Sequence, residues 1–187
     1  MADSVSYVGI RSDAALIDWS QQYCRQVRRE RGVSVRFDLV DWTVSHRAKR
    51  RAAAVKRPRL DDATVGDRYD WDSIDRSDGR PLPCTVSLTW DAFSAFDRAE
   101  WESTLRHELI HVEQYQRDGT TDHGRAFRER ADQLDTAVHC PAFADPKHVL
   151  TCGACGDLVA RRYQDCKLIE QREQYQSDCC GAALELG

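Results

Sequence analysis

His107-Glu108-Leu109-Ile110-His111 is the stretch of sequence that decides how this chain is interpreted. Two histidines four residues apart on a helix lie about 40° apart around its axis, so both imidazoles can reach one metal ion. The glutamate beside the first histidine is placed to take a proton from a water molecule at that ion. The pentapeptide therefore predicts a metal-binding helix that carries a general base.

The flanking sequence predicts a helix of about twenty residues, which would hold these side chains rigidly. Asp97 can act as the N-cap, and Glu100 three residues later completes a capping box. Gly119 is the candidate C-cap. Apolar residues recur at helical spacing and predict the buried stripe, namely Trp101, Leu105, Leu109 and Val112.

A catalytic zinc site also needs a third protein ligand and an open fourth position. The metzincin pattern is excluded, because Gln114 and Arg117 stand where it requires glycine and histidine. Spacing favours His123 as the third ligand but leaves Glu129, a carboxylate on a second predicted helix, as the alternative. The full set of downstream candidates is His123, Glu129, Asp132 and His139.

Residues 104–111, followed by His123-Gly124-Arg125-Ala126-Phe127, resemble the active site of the SprT-like zinc metalloprotease family. That family has H-E-x-x-H, a variable turn and then H-G-x-x-F, whose histidine is the third ligand. Residues 86–90 also match the short strand that usually precedes the active-site helix. The resemblance implies a catalytic zinc on His107, His111 and His123, with Glu108 as the catalytic base.

The order of predicted elements indicates an α+β fold. We expect a helix over 14–31 ended by Gly32, strands over 33–40, 42–46 and 86–90, an irregular connection over 59–83, and a helix from His123 to about His139. The resemblance implies a small zincin-type domain in residues 1–147, with helices packed on a short mixed sheet. Residues 148–187 would form a separate zinc ribbon.

The cysteine-rich tail predicts a second metal site. Cys152 and Cys155 flank two residues and precede Gly156, which is typical of a zinc knuckle. Cys179 and Cys180 follow between two short apolar stretches, and we take all four cysteines as ligands of a structural zinc. Such a short tail has no core of its own, so it would be disordered without metal.

The second half of this ribbon departs from the family pattern. SprT-like ribbons usually carry a second C-x-x-C, and Ser177 stands where its first cysteine would fall. Both adjacent cysteines can ligate, or Cys166 can replace one of them. The sequence leaves these alternatives open.

A basic stretch from Arg47 to Arg59 is the candidate nucleic-acid surface. It contains seven positive charges with little acid nearby: Arg47, Lys49, Arg50, Arg51, Lys56, Arg57 and Arg59. Arg161 and Arg162 add charge in the ribbon. The alternative interpretation is a solvated, arginine-rich hairpin.

Composition fits a small intracellular enzyme of 187 residues with a net charge of −4. The chain has no long apolar run and no signal-peptide pattern at its start, so we expect a cytoplasmic monomer without a membrane span. Only four of its 27 basic residues are lysines, and aspartate outnumbers glutamate 22 to 9. That composition is typical of salt-adapted archaea.

Two functional hypotheses follow. In the first, the protein is a zinc-dependent endopeptidase that cleaves protein substrates near DNA, including proteins crosslinked to it. In the second, it is a DNA-binding or transcription-associated zinc protein whose zincin domain is structural. Glu108 discriminates between them, because a purely structural site has no use for a general base beside an open metal position.

Overall fold

The computed structural model describes residues 7–57, 83–119 and 121–187, and the chain divides into two units, Met1–Phe143 and Ala144–Gly187. We call these the N-terminal unit and the C-terminal unit. Both contain helices and a small β-sheet, which confirms the predicted α+β class.

Four helices and three strands form the described part of the N-terminal unit. In chain order they are α1 (Asp13–Arg31), β1 (Val40–Ser45), β2 (Ala53–Lys56), β3 (Cys84–Thr89), α2 (Trp90–Ala95), α3 (Arg98–Asp118) and α4 (Arg125–Leu134). Short 3-10 turns cover Tyr7–Gly9 and Phe37–Leu39.

Helix α1 covers the predicted range of 14–31 with one further residue, Asp13, at its start, and its predicted end at Gly32 is confirmed. The Ser12 hydroxyl accepts a hydrogen bond from the Ala15 amide at the N-cap, and Gly32 ends the helix with a φ of 61°. The buried face of α1 packs against α3 and β1. It consists of Leu16, Trp19, Ser20, Cys24 and Val27.

The sheet of the N-terminal unit is mixed, with strand order β1-β3-β2. Strand β1 is parallel to β3, and β2 is antiparallel to it. Five of the six residues of the central strand β3 are buried, as expected for a strand covered on both faces. The predicted strand over 86–90 is thus present, displaced to Cys84–Thr89.

The predicted strand over 33–40 is wrong. Val33 and Val35 are buried and their neighbours are exposed, so the alternating pattern correctly indicated an extended backbone. The hydrogen bonds, however, go to side chains of α3: the Ser34 amide donates to Glu113, and the Arg36 amide donates to Gln116. A single strand, Val40–Ser45, replaces the two that were predicted over 33–40 and 42–46.

Helix α3 has the predicted capping box and C-cap. The Asp97 carboxylate accepts from the Glu100 amide at 2.8 Å, and the Glu100 carboxylate accepts from the Asp97 amide at 3.1 Å. Gly119 ends the helix with a φ of 70°. Nearly every residue from 104 to 115 is buried, so α3 runs through the core of the unit.

The second predicted helix is shorter than expected. It was predicted to run from His123 to about His139, but α4 covers only Arg125–Leu134 and ends at Asp135, which has a φ of 53°. Helix α2 was not predicted, because its six residues are too few to show helical periodicity. The predicted irregular connection over 59–83 lies outside the described residues except for Pro83.

The C-terminal unit has its own three-stranded antiparallel sheet, in the order β5-β4-β6. The strands are β4 (His148–Cys152), β5 (Leu158–Arg162) and β6 (Leu184–Leu186), and α5 is a single turn, Lys167–Glu170. Its buried apolar cluster consists of only Leu150, Ile169 and Leu184.

Candidate active site

Helix α3 presents His107 and His111 on one face, and His123 approaches them from the chain just before α4. The Nε2 atoms of the three rings are 3.2 Å apart for His107–His111, 3.0 Å for His111–His123 and 3.2 Å for His107–His123. Tetrahedral zinc with bonds of about 2.0–2.1 Å places imidazole nitrogens about 3.3–3.4 Å apart. The triangle therefore fits one metal ion.

Hydrogen bonds at the other ring nitrogens support this interpretation. His107 Nδ1 lies 3.0 Å from the Ala137 carbonyl oxygen, and His111 Nδ1 lies 3.0 Å from Gln114 Oε1. A neutral ring that donates through Nδ1 has an unprotonated Nε2. Unprotonated Nε2 atoms at this distance would repel each other, unless a cation lay among them.

The electrostatics of the site keep the rings neutral, which is the form that binds metal. Burial is the largest cause of a lowered pKa at His107, His111 and His123, and for His111 the pKa falls to about 4. Phe127 of α4 is fully buried and its ring contacts all three imidazoles, with centroid distances of 4.8, 4.7 and 4.6 Å. Phe127 forms the apolar floor of the site.

A local turn positions His123. The Asp122 carboxylate accepts a hydrogen bond from the Gly124 amide at 2.7 Å, which fixes the backbone on both sides of the histidine. A β-carbon at position 124 would lie 2.8 Å from Asp122 Oδ1, so any larger residue there would require the Asp122 carboxylate to move and would disturb this hydrogen bond.

The other downstream candidates do not join the metal-binding triangle among the described residues. Glu129 forms an ion pair with Arg125 on the exposed face of α4, and Asp132 is also exposed. His139 lines the same cavity, and its ring centroid is 5.5 Å from that of His123. Because none of these side chains joins the three histidines, a fourth position at the metal would be open to water or substrate.

Glu108 is buried next to the metal-binding triangle. Its Oε2 atom has no hydrogen-bond partner within the described parts of the chain. Burial raises the pKa of its carboxyl to about 8, against the opposing effects of the Val55 backbone amide and the Arg51 guanidinium. A buried carboxylate with an unused oxygen at a cavity wall is suited to hold a water molecule and accept its proton.

The site opens into a cavity of about 470 Å³. Strand β2 forms one wall, a segment after α4 forms another, and Arg50 and Arg51 lie at the cavity. The basic stretch and His139 were among the predicted functional residues, but the sequence did not predict the strand or the segment that form the two walls. The lining residues outside the histidine triangle and Glu108 are Arg50 to Val55, Thr121, Val138, His139 and Cys140.

The four cysteines predicted as ligands come together in the C-terminal unit. The sulfur atoms of Cys152, Cys155, Cys179 and Cys180 lie within 4.8 Å of one another, and Cys155 and Cys179 are 3.6 Å apart. Zinc–thiolate bonds of about 2.3 Å give sulfur–sulfur distances of about 3.8 Å. Cys166 is not part of this group among the described residues; it precedes α5 instead.

One thiol in this group has an unusually acidic environment. A hydrogen bond from Ser177 is the main cause that lowers the pKa of Cys152 to about 6. A thiolate is the metal-binding form of cysteine, so this contact favours metal binding. The donor set of four sulfur atoms fits zinc.

The basic stretch contains two kinds of residue. Lys49 pairs with Asp91, Lys56 donates to the Ser87 hydroxyl, and Arg57 donates to the Gly119 carbonyl oxygen. Three others, Arg47, Arg50 and Arg51, have exposed side chains that make no hydrogen bond or ion pair with the described residues. Arg59 lies outside the described residues.

The comparison with family models gives one result. The model described as "SprT-like family" matches residues 16–148, which include the histidine triangle, Glu108 and both walls of the cavity. No curated protein matches the chain significantly. Of the helices that the structure describes, none has the length and apolar character needed to cross a bilayer.

Proposed function

We propose that this chain, which belongs to the SprT-like family, is a zinc-dependent endopeptidase that acts on proteins near DNA. The observation that carries the proposal is the convergence of three Nε2 atoms beside the buried Oε2 of Glu108, which has no hydrogen-bond partner among the described residues. A metal site with a purely structural role would not need that carboxylate.

The three histidines would hold the catalytic zinc, and the four cysteines of the C-terminal unit would hold a structural one. When bound to the histidines, zinc acts as a Lewis acid that polarises the scissile carbonyl and makes water more acidic. Ala137 and Gln114 orient the rings through their Nδ1 atoms, and Phe127 keeps the base of the site dry.

Glu108 would act as the general base and then as the general acid. Its carboxylate takes a proton from the attacking water and delivers it to the nitrogen of the leaving amine. In the metal-free site burial raises the pKa of the Glu108 carboxyl, which makes its carboxylate a stronger base than that of an exposed glutamate. The negative charge that develops on the substrate would form in the cavity that His139, Arg50 and Arg51 also line, where a positive charge would stabilise it.

The cavity suits an extended polypeptide. Strand β2 pairs with β3 on one side only within the described residues, and its residues Ala53 to Val55 line the cavity. An edge strand can add an extended peptide through main-chain hydrogen bonds, which do not depend on the substrate sequence. The small side chains of Ala53 and Ala54 leave room for such a strand beside Glu108.

DNA association is the second part of the proposal. Arg47, Arg50 and Arg51 are exposed, and two of them lie at the cavity. Phosphate groups attract exposed arginines independently of base sequence. A protein bound to DNA beside this surface would lie near the cleft. Substrates would then be selected by their position on DNA, and not by side chains that fit a specificity pocket.

Glu108→Gln tests the catalytic part. We expect the variant to retain the metal content and fold of the wild type but to lose cleavage of a generic unfolded protein, with or without DNA. Glu129→Gln, on the exposed face of α4, is the matched control and should cleave like wild type. Cleavage by Glu108→Gln at the wild-type rate would refute the assigned base. Absence of cleavage by the metal-loaded wild type would favour the structural alternative.

A triple variant, with Arg47, Arg50 and Arg51 changed to alanine, tests the DNA part. Arg57 is left in place because it contacts Gly119. We expect weaker DNA binding whatever the base sequence, and a salt dependence shallower by roughly one unit for each phosphate that is no longer neutralised. The control neutralises three exposed arginines of α1: Arg28, Arg29 and Arg31. If both triple variants bind DNA like wild type over a range of salt, the basic stretch is a solvated surface.

A further inference from the structure

Two reversals of the chain in the C-terminal unit have the same backbone hydrogen bonds. In the first, Cys152–Asp157, the Cys152 amide donates to the Asp157 carbonyl oxygen at 2.9 Å, and the Gly156 amide donates to the Cys152 carbonyl oxygen at 2.8 Å. In the second, Ser177–Ala182, the Ser177 amide donates to the Ala182 carbonyl oxygen and the Gly181 amide to the Ser177 carbonyl oxygen, both at 2.8 Å. The fifth residue is glycine in each reversal, with a φ of 76° in Gly156 and 63° in Gly181. The two segments are therefore structural equivalents.

The cysteines do not follow this equivalence. In the first reversal they occupy positions one and four, as Cys152 and Cys155. In the second, position four is Cys180, but position one is Ser177, and the remaining cysteine, Cys179, occupies position three. Cys179 nevertheless belongs to the group of four sulfur atoms, and its sulfur is 3.6 Å from that of Cys155.

Ser177 remains in contact with the cluster. It is 2% exposed, and its Oγ atom is 3.1 Å from the sulfur of Cys152. The same Oγ atom accepts the Ala182 amide at 3.1 Å, so its own proton is available for Cys152. Its hydroxyl thus donates to a ligand sulfur instead of replacing one.

We infer that Cys179 supplies the fourth thiolate in place of the first residue of the second reversal. Ser177 is then a positioning residue that maintains the reversal and donates a hydrogen bond to Cys152. The inference rests on the proposed structural zinc but does not depend on proteolytic activity. It predicts that a cysteine at position 177 can replace Cys179 as the fourth thiolate ligand.

The test is a ligand exchange in the full-length chain. We would compare wild type, Cys179→Ser and the double variant Ser177→Cys/Cys179→Ser by Co²⁺ absorption and by zinc competition with a chelator. Sulfur-to-cobalt charge transfer reports thiolate ligands and is not produced by the histidine site. Cys179→Ser should lose intensity and weaken zinc binding by more than the roughly 10–100-fold that loss of an outer hydrogen bond costs. The double variant should recover the four-thiolate intensity and much of the affinity.

Two further variants test the remaining steps. Ser177→Ala should keep the four-thiolate spectrum while weakening zinc binding by about 10–100-fold, because only the hydrogen bond to Cys152 is removed. Cys166→Ser is the matched control and should behave like wild type, since Cys166 lies outside the cluster.

The outcomes separate this inference from the functional proposal. A double variant no better than Cys179→Ser would overturn the ligand exchange, and wild-type affinity in Ser177→Ala would overturn the role of Ser177. A wild-type protein without thiolate-bound metal would overturn the structural zinc and this inference together. None of these results bears on cleavage, which depends on the histidine site.

Discussion

The two groups of candidate metal ligands have different structural support. The histidines lie on α3 and next to α4, in a unit whose described part contains a cluster of 25 buried apolar residues. The cysteines lie in reversals of the chain, in a unit whose cluster contains three. So small a core cannot offset the conformational entropy of about forty residues. The difference indicates that a metal would bind to a preformed fold in the N-terminal unit and would maintain the fold of the C-terminal unit.

Removal of metal should give the largest effect. A strong chelator should unfold the C-terminal unit and leave the N-terminal unit folded, because only the C-terminal unit is expected to depend on metal for its fold. Hydrogen exchange followed by mass spectrometry would measure both at once. We expect protection to disappear in β4 and β6 and to persist in α3.

The control is reconstitution, since added zinc should restore protection in β4 and β6. Persistent protection of these strands without metal would contradict the comparison, because the C-terminal unit would then have a metal-independent fold. Loss of protection in α3 would also contradict the comparison, because the fold of the N-terminal unit would then depend on metal.

Local signals in the sequence were sufficient to predict α1 and α3. Gly32, Asp97 and Gly119 act through hydrogen bonds and backbone angles within a few residues, so their effects do not depend on the rest of the fold. The spacing of the two α3 histidines likewise follows from helix geometry alone. His123 could be proposed because a short pattern, H-G-x-x-F, contains both the ligand and the floor of the site.

Contacts between distant segments could not be predicted. Residues 33–36 alternate like a strand, but their amides bond to Glu113 and Gln116, about eighty residues later in the sequence. Strand β2 was hidden in a basic stretch, because its apolar residues are short alanines. Both walls of the cavity depend on such contacts, so the ligands were identified from the sequence but the elements that form the walls were not.

Substitution at the histidine site should affect metal content but not the fold. We expect about two zinc ions per wild-type chain and about one in His123→Ala, because removing one of three ligands empties the site. Glu129→Ala should retain about two, since Glu129 pairs with Arg125 away from the site. Elemental analysis after purification without chelator measures both. If Glu129→Ala lost zinc while His123→Ala retained it, the assignment of the third ligand would be wrong.

The pH dependence of the metal-free N-terminal unit should show a moderate effect. Burial raises the pKa of Glu108 from 4.5 to about 8, so the folded state binds this proton more tightly than the unfolded state. Stability then falls as the pH rises from 4.5 towards 8, and it levels off above that value. Glutamine cannot ionise, so Glu108→Gln should lack this decline and exceed wild type by a few kcal/mol near pH 8.

Urea unfolding at several pH values, after chelation, would measure this difference. Tryptophan fluorescence reports only the N-terminal unit, because all five tryptophans lie between residues 19 and 101. Parallel stability profiles for the two proteins would show that water reaches Glu108 when metal is absent.

The smallest effect concerns the polar contacts that hold the histidine site in place without metal. Glu113 on α3 accepts the Ser34 amide at 2.7 Å and pairs with Arg130 of α4 at 2.9 Å, and Arg130 also donates to the Gly32 carbonyl oxygen. The pair is largely buried, so Glu113→Gln should lower the free energy of unfolding by about 1–3 kcal/mol. Glu129→Gln breaks a solvent-exposed pair on the same helix as Arg130 and should cost less than about 0.5 kcal/mol. Both values come from urea unfolding followed by tryptophan fluorescence.

The decrease in the free energy of unfolding of Glu113→Gln should be equal with and without zinc, because these contacts lie within the fold that precedes metal binding. A decrease confined to the metal-free protein would mean that zinc and Glu113 both hold α3 against α4. The fold of the N-terminal unit would then depend partly on metal, and the two units would differ less in this dependence than the sizes of their apolar clusters indicate.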